Sequence, residues 1–231
     1  MIRHLKNFVF PLRCMLCGGS LLDDEAAWCA VCDGALPRYV GESATRFDGR
    51  LSWDVSWVLL RHRGAPGVDR LLKAFKYGGA VQVAVEVGRA MARAMAPGST
   101  SSGVLASPAL VPVPLHMEKL KSRGYNQAER IAQGCSDITG WPVLELLVRE
   151  RHGEALAKED RRGRMASRGL EYRPAPKAQN VLQVSSSGAG PPTILLLIDD
   201  VLTSGATMES AWSASREFWH GPLGYACAAS P

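Results

Sequence analysis

The chain has few of the features that would place it in a membrane, a secretory pathway or a common nucleotide-binding class. It contains no uninterrupted apolar run approaching the roughly 20 residues that cross a bilayer as a helix. The apolar stretch Phe8-Val9-Phe10 near the N-terminus is too short for a secretory signal, so we predict a cytoplasmic protein. The sequence has neither a Gly-Lys-Ser/Thr loop nor a Gly-x-Gly-x-x-Gly pattern, which excludes a Walker loop and a dinucleotide fingerprint.

Cysteine is also scarce, and four of the six cysteines are concentrated in two C-x-x-C knuckles, formed by Cys14, Cys17, Cys29 and Cys32. Thiolates at this spacing favour one tetrahedral zinc ion, which would be structural because four thiolates leave no open coordination position. A redox pair, a disulfide or unligated thiols are the alternatives, and a cytosolic setting disfavours the disulfide. Cys135 and Cys227 lie in apolar surroundings and are predicted to be buried packing residues.

Length and charge bound the fold class without deciding the function. The 231 residues, 46% of them hydrophobic, suit one α/β domain preceded by a small appendage. We predict a zinc-ribbon domain at residues 1–40 and the larger domain at residues 41–231. The net charge of +5 favours anionic partners, either a phosphorylated small molecule or nucleic acid. Basic cytoplasmic proteins without a nucleic-acid role are common, so the charge alone does not separate these classes.

The segment at residues 193–207 carries the most information about function. Its apolar run ends in Asp199-Asp200 and continues into the turn Thr203-Ser204-Gly205-Ala206-Thr207, after which we predict a helix from Met208 to about Phe218. A buried strand, a loop and a helix N-terminus in this order are typical of phosphate sites in α/β proteins. The carboxylates repel phosphate but suit the hydroxyls of an attached sugar, and we expect both to be ionised at neutral pH. The combination predicts a sugar-phosphate site.

Each piece of this segment also has a simpler interpretation. Two aspartates at the end of a strand also occur as a helix N-cap or a metal site, and the Thr-Ser-Gly-Ala-Thr stretch also occurs as a plain turn. The stretch from Lys73 to Gly79 also has both a functional and a purely structural interpretation. Lys76, Tyr77 and Gly78 form either a corner that binds pyrophosphate or an ordinary helix C-terminus in which the lysines complement the helix dipole.

A further polar block lies at residues 111–128. Pro112 and Pro114 restrict the strand predicted at Val111 and Val113 to a sheet edge or to the strand's exit. The planar fork of Arg123 suits a diphosphate, and we place it on a mobile loop that closes over the substrate. Asn126 fits the cap of a following helix. We predict that Gln127 positions an acceptor or fixes the loop.

The pattern of the remaining chain predicts alternating strands and helices. We predict a strand at residues 53–60, helices at residues 81–95 and 125–138, and a strand within residues 142–148. Gly-, Ser- and Pro-rich stretches at residues 97–108 and 173–192 are predicted to be loops. This pattern indicates an α/β fold.

The segment at residues 193–207 closely resembles the signature of the type I phosphoribosyltransferases, which bind 5-phosphoribosyl-1-pyrophosphate. Residues 71–79 resemble the Lys-Tyr-x-Gly element of the ComF family, and residues 111–128 resemble its Val-Pro-Val-Pro and Arg-Gly-aromatic-Asn-Gln block. With the zinc knuckles ahead of them, the elements follow the family's order over nearly the full length. The chain therefore resembles a ComF-family protein with a type I phosphoribosyltransferase fold, a central and mostly parallel sheet flanked by helices.

The resemblance implies roles for particular residues. Asp199 and Asp200 would contact the ribose hydroxyls and, with Arg123, serve catalysis. The substrate-binding residues would be Thr203, Ser204, Gly205, Ala206, Thr207, Lys76, Tyr77, Gly78 and Gln127. The implied cofactors are Mg²⁺, held with the phosphoribosyl pyrophosphate, and the structural Zn²⁺ of the cysteines.

Three functions follow from this resemblance. The first is a phosphoribosyltransferase with an unidentified acceptor, and the second is a non-catalytic competence factor that binds single-stranded DNA and a helicase. The third is a ligand-sensing regulator. The basic stretch at residues 149–168 departs from the family, because it has neither the Thr-Pro-x-Gln segment nor the Arg-x-x-Asn element expected there. A solvated helix and a face for nucleic acid both fit its charge.

Overall fold

The computed structural model describes residues 13–22, 27–38, 55–61, 65–77, 80–95, 108–149, 172–176, 178–180 and 191–230. The strands in this part of the chain are β1 (Val55–Arg61), β2 (Pro108–Pro112), β3 (Leu147–Arg149), β4 (Tyr172–Pro174), β5 (Ile194–Val201) and β6 (Leu223–Ser230). The helices are α1 (Ala30–Ala35), α2 (Pro66–Tyr77), α3 (Val81–Ala94), α4 (Met117–Arg123), α5 (Gln127–Thr139) and α6 (Ala206–Arg216).

Four strands form one parallel sheet in the order β1-β6-β5-β2. The sheet is covered on both faces, which explains why β5 is apolar at every position from Ile194 to Ile198. Strand β2 is the last of the four, in line with the position that Pro112 and Pro114 predicted, and a single bridge joins its Leu110 to Val143. The fold is α/β with a parallel sheet flanked by helices, which confirms the predicted class.

Alternate residues of each strand point into two separate cores, as the two-residue period of a strand requires. Leu196 and Ile198 of β5 pack in one core with α3, α5 and the cysteine-rich segment. Leu195 and Leu197 pack in the other core with α6 and with the hairpin strands β3 and β4. Both faces of β5 are therefore packed as far as Ile198, directly before the residues at its carboxyl end.

Helices α3 and α5 cross at Gly88 and Gly134, two glycines for which we predicted no role from the sequence. A Cβ atom on Gly88 would lie 2.0 Å from the carbonyl oxygen of Ile131, and one on Gly134 would lie 2.0 Å from that of Val85. Such distances are far inside van der Waals contact, so only glycine permits this separation of the helix backbones. The thiol of Cys135 lies at the same crossing and donates to the carbonyl of Gly88 at 3.2 Å.

Most predicted elements are present, with different ends. The helix predicted at 125–138 begins at Gln127, because the side chain of Asn126 caps it by accepting from the N–H of Ala128 at 3.2 Å. The helix predicted from Met208 begins at Ala206. Within residues 173–192, which we predicted to be a loop, Arg173 and Pro174 instead belong to β4. Cys135 and Cys227 are fully buried, as predicted. Among the described residues, no helix has the length and apolar character to cross a bilayer.

Candidate functional site

The acidic pair lies where the carboxyl ends of β5 and β2 meet. Asp199 and Asp200 are half-buried and lie two residues and one residue before the end of β5, and β2 runs parallel to this strand. Clefts at the carboxyl ends of parallel strands are the usual ligand sites of α/β proteins. The order of the strands therefore places the pair at the position where this fold class binds its ligands.

The turn after β5 delivers a helix N-terminus to the same place. Gly205 adopts φ +84, the left-handed region that favours glycine, and α6 starts at the next residue. The first N–H groups of a helix have no partner within the helix and carry its positive dipole end, which attracts anions. Thr203 and Thr207 line the cavity beside these groups, and Ser204 and Ala206 are exposed between them.

A cavity of about 210 Å³ contains the acidic pair. Its walls combine two carboxylates with four cationic side chains, from Lys76, Lys119, Arg123 and Arg149. The other residues that line the cavity come from loops, helices and strands, namely Val113, Pro114, Leu115, Asn126, Gln127, Ala128, Tyr172, Val201, Thr203 and Thr207. The excess of cations over carboxylates suits a ligand that carries several negative charges together with neutral hydroxyls.

The two carboxylates differ in their environments. Lys76, in the last turn of α2, places its Nζ 3.2 Å from Oδ2 of Asp200. The backbone N–H of Asp200 donates to Oδ1 of Asp199 at 2.8 Å. Burial and the neighbouring Asp200 raise the pKa of Asp199 to about 7, although the hydrogen bond from Asp200 N–H and the charges of Lys76 and Arg149 oppose this. The expectation that both aspartates are fully ionised at neutral pH is therefore wrong for Asp199, because burial penalises its charge.

Arg123 and Gln127 are joined at the cavity wall. Arg123 is the last residue of α4, and its Nη1 donates to Oε1 of Gln127 at 3.0 Å. The predicted position of Arg123 on a mobile loop is wrong for this structure, because residues 117–123 form a helix. Gln127 is buried, and Asn126 Nδ2 donates to the carbonyl of Val113 at 3.1 Å, which ties the start of α5 to the exit of β2.

The structure brings most of the predicted ligand residues to one cavity. Lys76, Arg123, Gln127, Asp199, Asp200, Thr203 and Thr207 all line it. Tyr77 ends α2 directly after Lys76, and Gly78 lies outside the described residues. Of the basic stretch at residues 149–168, only Arg149 is described.

Four lining residues with charged or polar side chains had no assigned role in the predicted site. Lys119 extends from α4 and Asn126 precedes α5, whereas Arg149 and Tyr172 come from the β3–β4 hairpin. The guanidinium of Arg149 lies 5.5 Å from the centre of the Tyr172 ring, within cation–π range. No sequence signal links these two residues, because 22 positions separate them and the pairing of β3 with β4 brings them together.

The four knuckle cysteines form a second cluster. Their Sγ atoms all lie within 4.8 Å of one another, and those of Cys17 and Cys29 are 3.8 Å apart. A tetrahedral site with Zn–S bonds of about 2.3 Å requires separations of about 3.8 Å. The N–H of Gly19 points to Cys17 Sγ at 3.4 Å. The four sulfurs thus fit one tetrahedral ion.

Backbone donors also surround the buried thiol of Cys14. The N–H groups of Leu16 and Cys29 each lie 3.4 Å from its Sγ. Burial raises the pKa of Cys14, but backbone hydrogen bonds from Cys29, Cys17 and Leu16 outweigh it and lower the pKa to about 6. A thiolate is the form that binds metal, so the backbone prepares this sulfur as a ligand.

Comparison with known proteins gives one informative similarity. No protein-family model matches the chain. The chain is similar to Competence protein F of Haemophilus influenzae, with 25% identity over 222 residues that cover 88% of this chain and 90% of the relative. The similarity extends over nearly the full length of both chains and supports the ComF-family resemblance predicted from the motifs.

Proposed function

We propose that the cavity at the carboxyl end of β5 binds 5-phosphoribosyl-1-pyrophosphate and that the protein transfers the phosphoribosyl group to a nitrogen acceptor, releasing pyrophosphate. The proposal is carried by one observation. Adjacent carboxylates and a helix N-terminus line the same cavity, and four cationic side chains surround them. A sugar that carries phosphate groups at both ends matches this distribution of charge.

Each part of the ligand has a complementary part of the cavity. The N–H groups of the first turn of α6, with the hydroxyls of Thr203 and Thr207, would hold the 5-phosphate. Asp199 and Asp200 would accept hydrogen bonds from the ribose hydroxyls. Lys76 and Arg123 would bind the diphosphate, for which the fork of arginine and the point charge of lysine are both suited.

The charge distribution also suits the chemical step. Breaking the bond between C1 and the pyrophosphate oxygen leaves positive charge on the ribose ring and negative charge on the leaving group. The carboxylates of Asp199 and Asp200 would stabilise the first charge, and Arg123 and Lys76 would stabilise the second. Carboxylate oxygens are ligands that Mg²⁺ prefers, and with the diphosphate they would hold the ion that neutralises the leaving group.

We also propose that the cysteine cluster holds a structural Zn²⁺. Cys14 and Leu16 are buried in the same core as Leu71 of α2 and Val87 of α3. An ion that fixes the knuckles would therefore also fix their apolar side chains against the α/β body. The site would be closed, since all four ligands are thiolates.

A second candidate role rests on the similarity to a protein named for competence. In this role the chain would act in competence without turnover, by binding phosphoribosyl pyrophosphate or single-stranded DNA and a helicase partner. The favouring observation is that the similarity to this relative spans 88% of the chain. A sensor would need the same cavity but no acceptor.

The binding proposal is tested by calorimetry of phosphoribosyl pyrophosphate with and without Mg²⁺. We expect an Asp199→Asn/Asp200→Asn variant to bind at least about tenfold more weakly than the wild type, because the amides lose two charge-assisted hydrogen bonds to the ribose. Glu217→Gln is the matched control, since Glu217 is exposed just beyond the far end of α6. Equal affinity in wild type and double variant, or no binding at millimolar ligand, would remove the proposal.

Turnover is tested separately from binding. Pyrophosphate release in the presence of a panel of bases and amines identifies a transferase. Binding without release across the panel favours the competence or sensing role. Oligonucleotide binding that weakens steeply with salt then indicates the DNA-binding alternative.

A further inference from the structure

The ion pair between Lys76 and Asp200 lies inside the proposed ligand site. Nζ of Lys76 is 3.2 Å from Oδ2 of Asp200, and both side chains are largely withdrawn from solvent, with 23% and 15% of their surfaces exposed. Both residues line the cavity. In this structure the ammonium group of Lys76 therefore forms an ion pair with a carboxylate that the ribose would contact in the proposed complex.

Repulsion between the two aspartates explains why Lys76 pairs with Asp200. Asp199 and Asp200 are consecutive and half-buried, and two such carboxylates repel each other where water screens them poorly. A cation close to one of them offsets this repulsion. Lys76 comes from α2, a separate element, so its ammonium group contacts the pair only through the long side chain. A flexible four-carbon stem lets that group move without moving the helix.

The two halves of the ligand act on this pair in opposite ways. A phosphate alone attracts Lys76 but would leave Asp200 without its cation and facing a new negative charge. A sugar hydroxyl alone can donate to Asp200 but gives Lys76 no new partner. A ligand with both groups satisfies Asp200 with a hydroxyl and Lys76 with a phosphate in one event.

We propose that Lys76 is the exchangeable counter-ion of the acidic pair, which passes from Asp200 to a phosphate only when sugar hydroxyls replace it at the carboxylate. The pocket then selects molecules that carry a diol and a phosphate together and discriminates against free pyrophosphate. This inference rests on the proposed function for the identity of the whole ligand. The exchange itself depends only on the Lys76–Asp200 contact.

Titration of inorganic pyrophosphate, without added Mg²⁺ and at pH 8.5, tests the exchange. Asp200→Asn releases Lys76 and removes one negative charge, whereas the matched variant Asp199→Asn removes one negative charge from the same cavity and leaves the lysine pair intact. The pKa of Asp199 is about 7, so at pH 8.5 its replacement by Asn removes a negative charge. We expect Asp200→Asn to bind pyrophosphate about three- to tenfold more tightly than Asp199→Asn does. Equal gains in the two variants would overturn the inference.

A second measurement repeats both substitutions in a Lys76→Gln background. Without the lysine, only the relief of repulsion remains, so Asp200→Asn and Asp199→Asn should give equal pyrophosphate affinities. A persistent advantage of Asp200→Asn in that background would show that the lysine is not responsible, and would also overturn the inference.

The outcomes separate this inference from the proposed function. Phosphoribosyl pyrophosphate should respond to Asp200→Asn with weaker binding, opposite in sign to pyrophosphate. If wild-type protein fails to bind phosphoribosyl pyrophosphate but the pyrophosphate pattern holds, the exchange stands and the proposed function falls. If phosphoribosyl pyrophosphate binds and the two asparagine variants gain equally for pyrophosphate, the exchange alone falls.

Discussion

Replacing Asp199 by Asn should stabilise the ligand-free protein, and more at high pH than at low pH. In the fold, burial and Asp200 raise the pKa of this carboxyl from 3.8 to about 7. The folded state therefore holds a proton that the unfolded chain has already lost. Such a group supports the fold fully only below the unfolded pKa, and its contribution is lost as pH rises to the folded value. Asn keeps the carbonyl oxygen that accepts from Asp200 N–H but has no charge to bury.

The size of the effect follows from the two pKa values. Each pKa unit corresponds to about 1.36 kcal/mol, so the full difference between 3.8 and about 7 amounts to about 4 kcal/mol above neutral pH. At pH 5.5 only about 2 kcal/mol of this penalty is present, because this pH is less than two units above the pKa of the carboxyl in the unfolded chain. Asp199→Asn should therefore gain about 2 kcal/mol more stability at pH 8.5 than at pH 5.5.

Urea unfolding of both proteins at these two pH values measures the difference directly. Titrating groups that do not interact with Asp199 contribute equally to both proteins and cancel. Asp137→Asn is the control with the opposite sign, because the hydrogen bond from Arg89 lowers the pKa of Asp137. That variant should be destabilised by the same amount at both values, since the stability from Asp137 is fully present above its unfolded pKa. A pH-independent effect of Asp199→Asn would refute the assigned burial of this carboxyl.

Two further predictions concern the framework that holds the site. Gly88→Ala should lower the free energy of unfolding in urea by about 2 kcal/mol or more, since its Cβ would meet the backbone of Ile131. Gly34→Ala is the control and should change stability little, because Gly34 has open space around it. Comparable costs for both variants would contradict the close crossing of α3 and α5. Metal analysis of the purified protein should find one Zn²⁺ per chain. Cys29→Ser should lose this ion and unfold at a lower temperature, because metal binding is coupled to folding. A Cys29→Ser variant that keeps its full metal content would remove Cys29 from the ligands.

The local parts of the site were predictable from sequence because each depends on neighbours in the chain. The spacing of Cys14, Cys17, Cys29 and Cys32 predicted a compact sulfur cluster, and the structure gathers all four sulfurs. The apolar run before Asp199 predicted a strand buried on both faces, and β5 has that burial. Asn126 caps α5 as predicted. The start of α6 was missed by two residues, since it depends on the backbone conformation at Gly205 rather than on composition.

The surroundings of the acidic pair were not predictable in this way. Arg149 and Tyr172 reach the cavity through the pairing of β3 with β4, and Lys119 reaches it through α4. The raised pKa of Asp199 depends on how deeply the two cores bury the end of β5, which no residue type encodes. Likewise, the sequence placed Lys76 near a phosphate and gave no sign that it would pair with Asp200.

Three features along the chain could be predicted from the residues alone: a strand that carries two carboxylates at its end, a turn that leads into a helix, and two cysteine knuckles. These follow from side-chain periodicity and short spacing, which act over a few residues. Which distant side chains share the cavity, and how strongly Asp199 holds its proton, became visible in the three-dimensional fold. Strand order and burial set these properties, and both arise from packing between segments that are far apart in sequence.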